Sequence, residues 1–280
     1  MYRRVRKLNI DMYQIAAFKE FIWNFYEQNK RDFAWRHVDN PYFVLVSEIM
    51  LQQTQTQRVI TKYEEFIAAF PNFESLAAAS LRDVLLVWQG LGYYRRARFL
   101  YQLAQIVVHE HGGVLPQDPK ILQTLPGIGP NTAGSMCAFA FNKPVVFIET
   151  NIRTVFIDSF FYAQESVNDK ELLPLIEATV DHDNPREWYY ALMDYGVFLK
   201  SRTINPSRKS AHYNKQSKFE GSDRQIRAKI VKFITEHENV SHHDVLSVIN
   251  KDVVRVEKII DKLVAEDFIK KSVNNVYSLT

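Results

Sequence analysis

The stretch that decides the fold is LPGIGPNTAGSMCAFAFNKP, residues 125–144. Gly127 and Gly129 stand two apart in a turn between two helical segments, and Pro130 opens the second. Glycine lets the backbone come close to a partner, and proline suits a first helical position. Unpaired N–H groups at a helix start form an anion site of the kind that takes a phosphate. A tight helix hairpin also uses glycine for steric reasons alone, so the turn by itself leaves both readings open.

Outward from the hairpin, helical spacing dominates. Residues 14–28 place Ala17, Phe21 and Phe25 on one face, and Pro41 precedes a long segment that ends at Pro71. Ser80 is expected to cap LRDVLLVWQG, with Gly90 and Gly92 ending that helix. Arg95 to His109 is a further amphipathic run closed by Gly112-Gly113, and VVFI at 145–148 is the one convincing extended stretch before residue 200. Residues 201–221 carry five Lys/Arg against one acid, which reads as a basic linker or a surface loop. Residues 223–280 resume as helix, helix capped by Ser241, helix, and a hairpin around Asn274-Asn275, the order of a winged helix. Their ten Lys/Arg against nine Asp/Glu do not decide between DNA and protein as a partner. The expected fold is all-α, with a helical domain over 1–199, a linker over 200–222 and a winged-helix-like domain over 223–280.

The chain of 280 residues has 46% hydrophobic and 24% charged residues, net charge +3 and pI near 8.7. That composition excludes disordered, collagen-like and coiled-coil chains, and permits nucleic acid without demanding it. No apolar run approaches the roughly 18 residues of a membrane span, and no apolar segment follows the basic start MYRRVRKLN. A cytoplasmic, nucleoid-associated protein without membrane contact is expected. The single cysteine, Cys137, cannot supply a multi-cysteine metal site, and the scattered histidines (His109, His111, His242, His243) lack ligand-like partners.

Further motifs flank the hairpin in a fixed order: VSEIMLQQTQ at 46–55, WQGLGYYRRAR at 88–98, IETNIRTV at 148–155 and ALMDYG at 191–196. Together with LPGIGPNTA they resemble the helix-hairpin-helix DNA glycosylase superfamily, and specifically its MutY-type adenine glycosylases. The resemblance covers about residues 14–216. It implies two helical lobes with a DNA-binding cleft, and a pair of carboxyls that cleave an N-glycosidic bond. One protonates the leaving base and the other steadies the cationic sugar. By resemblance Glu48 is the acid, Glu149 the stabilising carboxylate, and Asn151 the residue that positions it or the sugar. Asn131 stands where bifunctional relatives carry a Schiff-base lysine, so a monofunctional hydrolase is implied. Gln53 and Tyr93 match the residues wedged into the base stack, and Arg36 matches an arginine near the pocket entrance. Gly127, Gly129 and Thr132 fall at the DNA-contacting hairpin. Arg95, Arg96 and Arg98 either meet phosphates or solvate a helix face.

The chain departs from the family in three places. Glu149 replaces the usual Asp, one methylene longer, a change able to displace the carboxylate by about 1 Å. Lys200, Ser207, Ser210 and Gln216 stand where four cysteines usually hold a [4Fe–4S] cluster, so no iron–sulfur cofactor is expected. Fewer than 60 residues follow the linker, where the family adds a larger domain that reads 8-oxoguanine. The implied function is base excision from double-stranded DNA, by a monomer, of adenine opposite 8-oxoguanine or guanine. The alternatives are a thymine or uracil glycosylase acting at G mismatches, and a non-catalytic lesion-binding protein.

Overall fold

The computed structural model describes residues 11–215, 218–249 and 251–280; the basic opening segment 1–10 and Gln216 lie outside them. In chain order the helices are α1 (Met12–Asn29), α2 (Pro41–Leu51), α3 (Thr56–Ala69), α4 (Phe73–Ala78), α5 (Leu81–Val87), α6 (Arg95–His111), α7 (Pro119–Leu122), α8 (Pro130–Phe139), α9 (Thr150–Phe160), α10 (Asp169–Thr179), α11 (Pro185–Arg202), α12 (Asp223–Glu236), α13 (His242–Ile249) and α14 (Val253–Ala265). Three short strands, β1 (Val240–Ser241), β2 (Ile269–Lys271) and β3 (Val276–Leu279), lie near the C-terminal end. The chain divides into two compact units, one of residues 1–37, 117–120 and 129–214, the other of 38–116, 121–128 and 215–280.

The first unit is built around α9 and α11. Asp11 opens α1 with a capping box to Gln14, and α1 buries Phe18, Ile22 and Tyr26. Phe18 meets the rings of Phe156 and Trp188 at 5.4 and 6.1 Å. Helix α11 carries Pro185 in its first turn and lies close against α9 at Gly196. A Cβ on Gly196 would come within 2.6 Å of the Asn151 carbonyl, so glycine is what permits the approach. Helix α8 buries every residue from Ala133 to Phe139, and Phe139 stacks on Tyr190 at 4.5 Å. The stretch 145–148 pairs with no strand; the Tyr189 hydroxyl donates to the Val145 carbonyl at 2.5 Å instead. In place of the expected strand there is a loop, anchored by that bond and by the buried Phe147 and Ile148.

In the second unit, Asn40 caps α2 and Pro41 opens it, and Ser80 caps α5 as expected. The long segment from Pro41 breaks at residues 52–55 into α2 and α3. Gly112, with φ +60, ends α6 in the left-handed conformation that glycine tolerates. The C-terminal module packs α12 on α13 and α14, with the strands in the order β1-β3-β2, all antiparallel. The element order over 223–280 is thus helix, strand, helix, helix, hairpin. β1 is the strand that the capping pattern at Ser241 hid: Ser241 and Asp244 form the expected reciprocal cap, and Val240 pairs with Tyr277.

Candidate active site

Glu48 lies in α2 with buried Ser47 and Ile49 on either side and is itself half-buried. Helix packing sets this carboxyl among apolar neighbours, Ile49 and Met50 being fully buried. Immediately beyond α2 the chain turns through Gln53, whose φ of +55 is left-handed and uncommon outside glycine. Tyr93, in the turn before α6, has the same feature at φ +48. Two non-glycine residues in this region therefore need external restraint.

Arg96 supplies it. Its side chain is buried, and it donates to the carbonyls of Ile49 (3.0 Å) and Met50 (2.7 Å), to that of Gln52, and to the Thr54 hydroxyl (2.9 Å). Longer bonds reach the carbonyls of Leu91 (3.4 Å) and Gly92 (3.3 Å). One guanidinium thus satisfies the last orphan carbonyls of α2 and ties the 52–54 turn to the 91–93 turn. Burial pulls its pKa down to about 10, so it stays a cation at neutral pH. Arg98 is likewise engaged, donating to the Glu266 carbonyl at 2.7 Å, whereas Arg95 is exposed. Of the three arginines offered to phosphate, Arg96 is instead a structural hub. The signal was present: Arg96 shares its face of α6 with Leu100, Leu103 and Val107 at helical spacing.

In the first unit Glu149 caps α9. Its Oε1 accepts from the backbone N–H of Asn151 (2.6 Å) and of Ile152 (2.9 Å), and its Oε2 from the Asn151 side-chain amide (3.2 Å). The longer side chain folds back onto the helix start, where the helix dipole favours an anion. Burial still wins and raises the carboxyl pKa; the backbone and side-chain donors and Lys200 act against it. Lys200 lies one helical turn beyond Gly196, the residue seated on Asn151, which brings its ammonium into the field of Glu149. Desolvation lowers the Lys200 pKa, and Glu149 pulls it back up. Sequence reasoning placed Lys200 only as a lost cysteine position and missed this partnership.

The hairpin keeps its expected parts. Gly127 has φ +81, with Phe99 Cβ 3.0 Å from where a Cβ would stand, and the Gln52 amide reaches its carbonyl at 3.5 Å. Gly129 caps α8 in an ordinary extended conformation, with open space at its Cβ position, so its backbone does not require glycine. Asn131 is exposed in the first turn of α8 and Thr132 half-buried beside it. Arg36, expected near the pocket entrance, is instead buried in an ion pair. Its side chain is 6% exposed and makes two bonds to Asp194, at 2.8 and 2.7 Å, with its plane 4.3 Å from the Tyr190 ring. Arg31 joins the same carboxylate, so a phosphate could reach Arg36 only in competition with Asp194.

The segment after α11 is not a free linker over 203–214. Ser207 and Ser210 are buried, Ser210 forms a parallel bridge with Val167, and Lys209 donates to the Tyr162 carbonyl. Glu48, Gln53, Tyr93 and Gly127 belong to the second unit; Arg36, Gly129, Asn131, Thr132, Glu149 and Asn151 belong to the first. Among the described residues, no group of three or more His, Cys, Asp or Glu could hold a metal ion, and no helix is long and apolar enough to cross a membrane.

Residues 46–175 match the HhH-GPD superfamily of base excision DNA repair proteins, and the chain belongs to that superfamily. Its relatives include the adenine DNA glycosylase of Buchnera aphidicola subsp. Baizongia pistaciae, 36% identical over 188 residues that make up 65% of this chain and 53% of that protein. The human adenine DNA glycosylase is 35% identical over 199 residues, 67% of this chain and 36% of that one. The chain thus spans about half, or less, of the length of these curated relatives. A thermostable thymine-DNA glycosylase structure superposes with a TM-score of 0.63 at 27% identity, over 70% of this chain and 92% of its own.

Proposed function

We propose that the protein is a monofunctional DNA N-glycosylase that removes a flipped base, adenine opposite 8-oxoguanine or guanine, from double-stranded DNA. The observation that carries the reading is Glu149, a desolvated carboxylate fixed at the start of α9 by three hydrogen bonds, in a chain of the base excision superfamily. Glu48 donates the proton that makes the base a leaving group. Glu149, ionised, stabilises the oxocarbenium ion while water attacks the anomeric carbon. Asn151 positions Glu149 through both its backbone and side-chain amides. Asn131 offers no amine, so no Schiff base forms at that position and the product is an abasic site. Gln53 and Tyr93 enter the stack to extract the base, a step that costs a few kcal/mol of unstacking. Gly127, Gly129 and Thr132 present the hairpin to a phosphate, and Arg36 acts at one remove by fixing Asp194.

The residues at the family's cluster positions do not fit an iron–sulfur group. Lys200, Ser207 and Ser210 are not thiolates, Gln216 lies outside the described residues, and the one thiol, Cys137, is buried in α8 with its sulfur 3.8 Å from the Gln117 carbonyl. The proposed reaction therefore uses no cofactor, and the protein acts as a monomer. The test is single-turnover cleavage with enzyme in excess, on duplexes with A opposite 8-oxoguanine or G, and with T or U opposite G, read with and without alkali. Alkali-dependent cleavage at A is expected, abolished by Glu48→Gln. Full activity of that variant would defeat the mechanism. The likeness to a thymine-DNA glycosylase structure supports a second reading, and cleavage only at T or U would select it.

A further inference from the structure

The C-terminal module does more in the second unit than trail behind it. Helix α12 begins at Tyr93: Arg224, its second residue, donates to the Tyr93 hydroxyl at 2.7 Å, with the guanidinium 6.0 Å from the ring centroid. At its other end Glu236 accepts from Gln89 at 3.2 Å, and Glu238 just beyond meets Arg82 at 2.6 Å. Arg98 reaches across to the Glu266 carbonyl at the end of α14. These bonds form a polar seam along the segment that carries Tyr93. At the near end of the seam, the side chain engaged is the one read as a wedge.

Tyr93 is consequently held at both ends. Its backbone, left-handed at φ +48, is fixed where its carbonyl accepts from Arg96 N at 2.8 Å, and the Arg96 guanidinium lies 5.3 Å from the ring. Its hydroxyl is held by Arg224. A left-handed tyrosine carries strain, and such residues persist only where the surroundings over-determine them. A wedge already aimed loses no rotamer freedom when it enters a stack, which is the advantage of preorganisation. Simple docking would not require the contact to fall on the ring's functional end, since the seam has other anchors in Arg82, Gln89 and Arg98.

We infer that Arg224 is a positioning residue for base extraction, so that the C-terminal module sets the angle at which Tyr93 enters the DNA. The inference rests on the glycosylase reading and on Tyr93 as the wedge. It gives the C-terminal module a part in base extraction.

The test uses the full chain. Single-turnover cleavage of an adenine-mismatch duplex is measured for Arg224→Gln, Arg224→Lys, Tyr93→Phe and the double variant Arg224→Gln/Tyr93→Phe. Base extraction is followed in parallel by the fluorescence of 2-aminopurine at the target position. Arg224→Gln and Tyr93→Phe should each slow extraction and cleavage about tenfold, the double variant should be no slower than either, and Arg224→Lys should recover part of the rate. Arg227→Gln, which removes the ion pair to Glu266 at 2.6 Å without touching Tyr93, should cleave as the wild type does and controls for general loosening of the module. Losses that multiply in the double variant, an equal loss in Arg227→Gln, or wild-type rates in Arg224→Gln would each overturn the inference while leaving the glycosylase reading intact. A wild-type chain that cleaves no duplex would overturn both together.

Discussion

Arg96→Met tests the claim that one buried guanidinium organises both wedge turns. Arg96 has four acceptors at 3.0 Å or closer, and two of them, the carbonyls of Ile49 and Met50, belong to buried residues at the end of α2. A buried acceptor left unpaired costs about 1–3 kcal/mol, so these two account for roughly 2–6 kcal/mol. The Gln52 carbonyl and Thr54 hydroxyl belong to half-buried residues and can turn to water, adding little. Removing a desolvated cation returns part of the loss, which leaves an expected destabilisation of about 2–4 kcal/mol. For a protein of this size that corresponds to a fall in Tm of about 5–15 °C, measurable by circular dichroism. Released from Arg96, the turns at Gln53 and Tyr93 relax from their left-handed conformations, and a displacement of about 1 Å costs up to ~10²-fold in rate. Single-turnover cleavage measured well below the new Tm should therefore drop about 10- to 10²-fold, with Arg96→Lys between the two because it keeps the charge but not the fork of donors. A Tm within about 2 °C of wild type, with unchanged cleavage, would refute the hub and return Arg96 to the role of a phosphate contact.

Three further outcomes follow from the first unit. Burial raises the Glu149 pKa while Lys200 lowers it, and the proposed reaction needs the carboxylate ionised. Lys200→Met should therefore move the acidic limb of the pH–rate profile to higher pH, and an unmoved limb would remove Lys200 from the site. The sign for stability runs the same way, because an acid with a raised folded-state pKa loses its contribution as pH rises through that shifted value. Urea midpoints should accordingly decline with pH above the ordinary carboxylate range, and Glu149→Gln should flatten that part of the slope. Asp194→Asn leaves the buried Arg36 cation without its counter-charge and should cost about 3–5 kcal/mol, read as a shift in the urea midpoint; a shift below about 1 kcal/mol would mean that Arg36 finds another partner.

The legible parts of this protein are those in which local chemistry and tertiary structure agree. Pro41, Ser80, Pro130 and Gly112 mark helix ends in the sequence and mark them in the structure, because capping and left-handed termination depend on a few adjacent residues. Within the long segment after Pro41, nothing in LQQTQTQ is a strong breaker to mark its interruption. Its break depends on Arg96, more than forty positions away, and no local rule reports a bond of that span. The burial of Arg36 and Arg96 is hidden from local sequence for a general reason: charged residues are mostly exposed, and only the partner set reveals the exception. For Arg96, the apolar residues at i+4 and i+7 were the visible warning.

Ser207 and Ser210 stand where the resemblance places cluster cysteines, and both are buried. A cysteine-ligated cluster folds the segment that binds it, because the metal contributes binding energy that the apo segment lacks. Here residues 203–214 are ordered by ordinary means: the Asn205 side chain accepts from Ser207 at the backbone and hydroxyl, Val167 bridges Ser210, and Lys209 caps the Tyr162 carbonyl. Each such bond contributes on the order of 1 kcal/mol, enough together to hold a short loop but far less than a cluster supplies. Lys200, which the resemblance sets at the first cysteine position, has its charge in the field of Glu149. This offers a physical reason why the longer Glu149 is tolerated: the ammonium offsets part of the desolvation that burying a carboxylate brings.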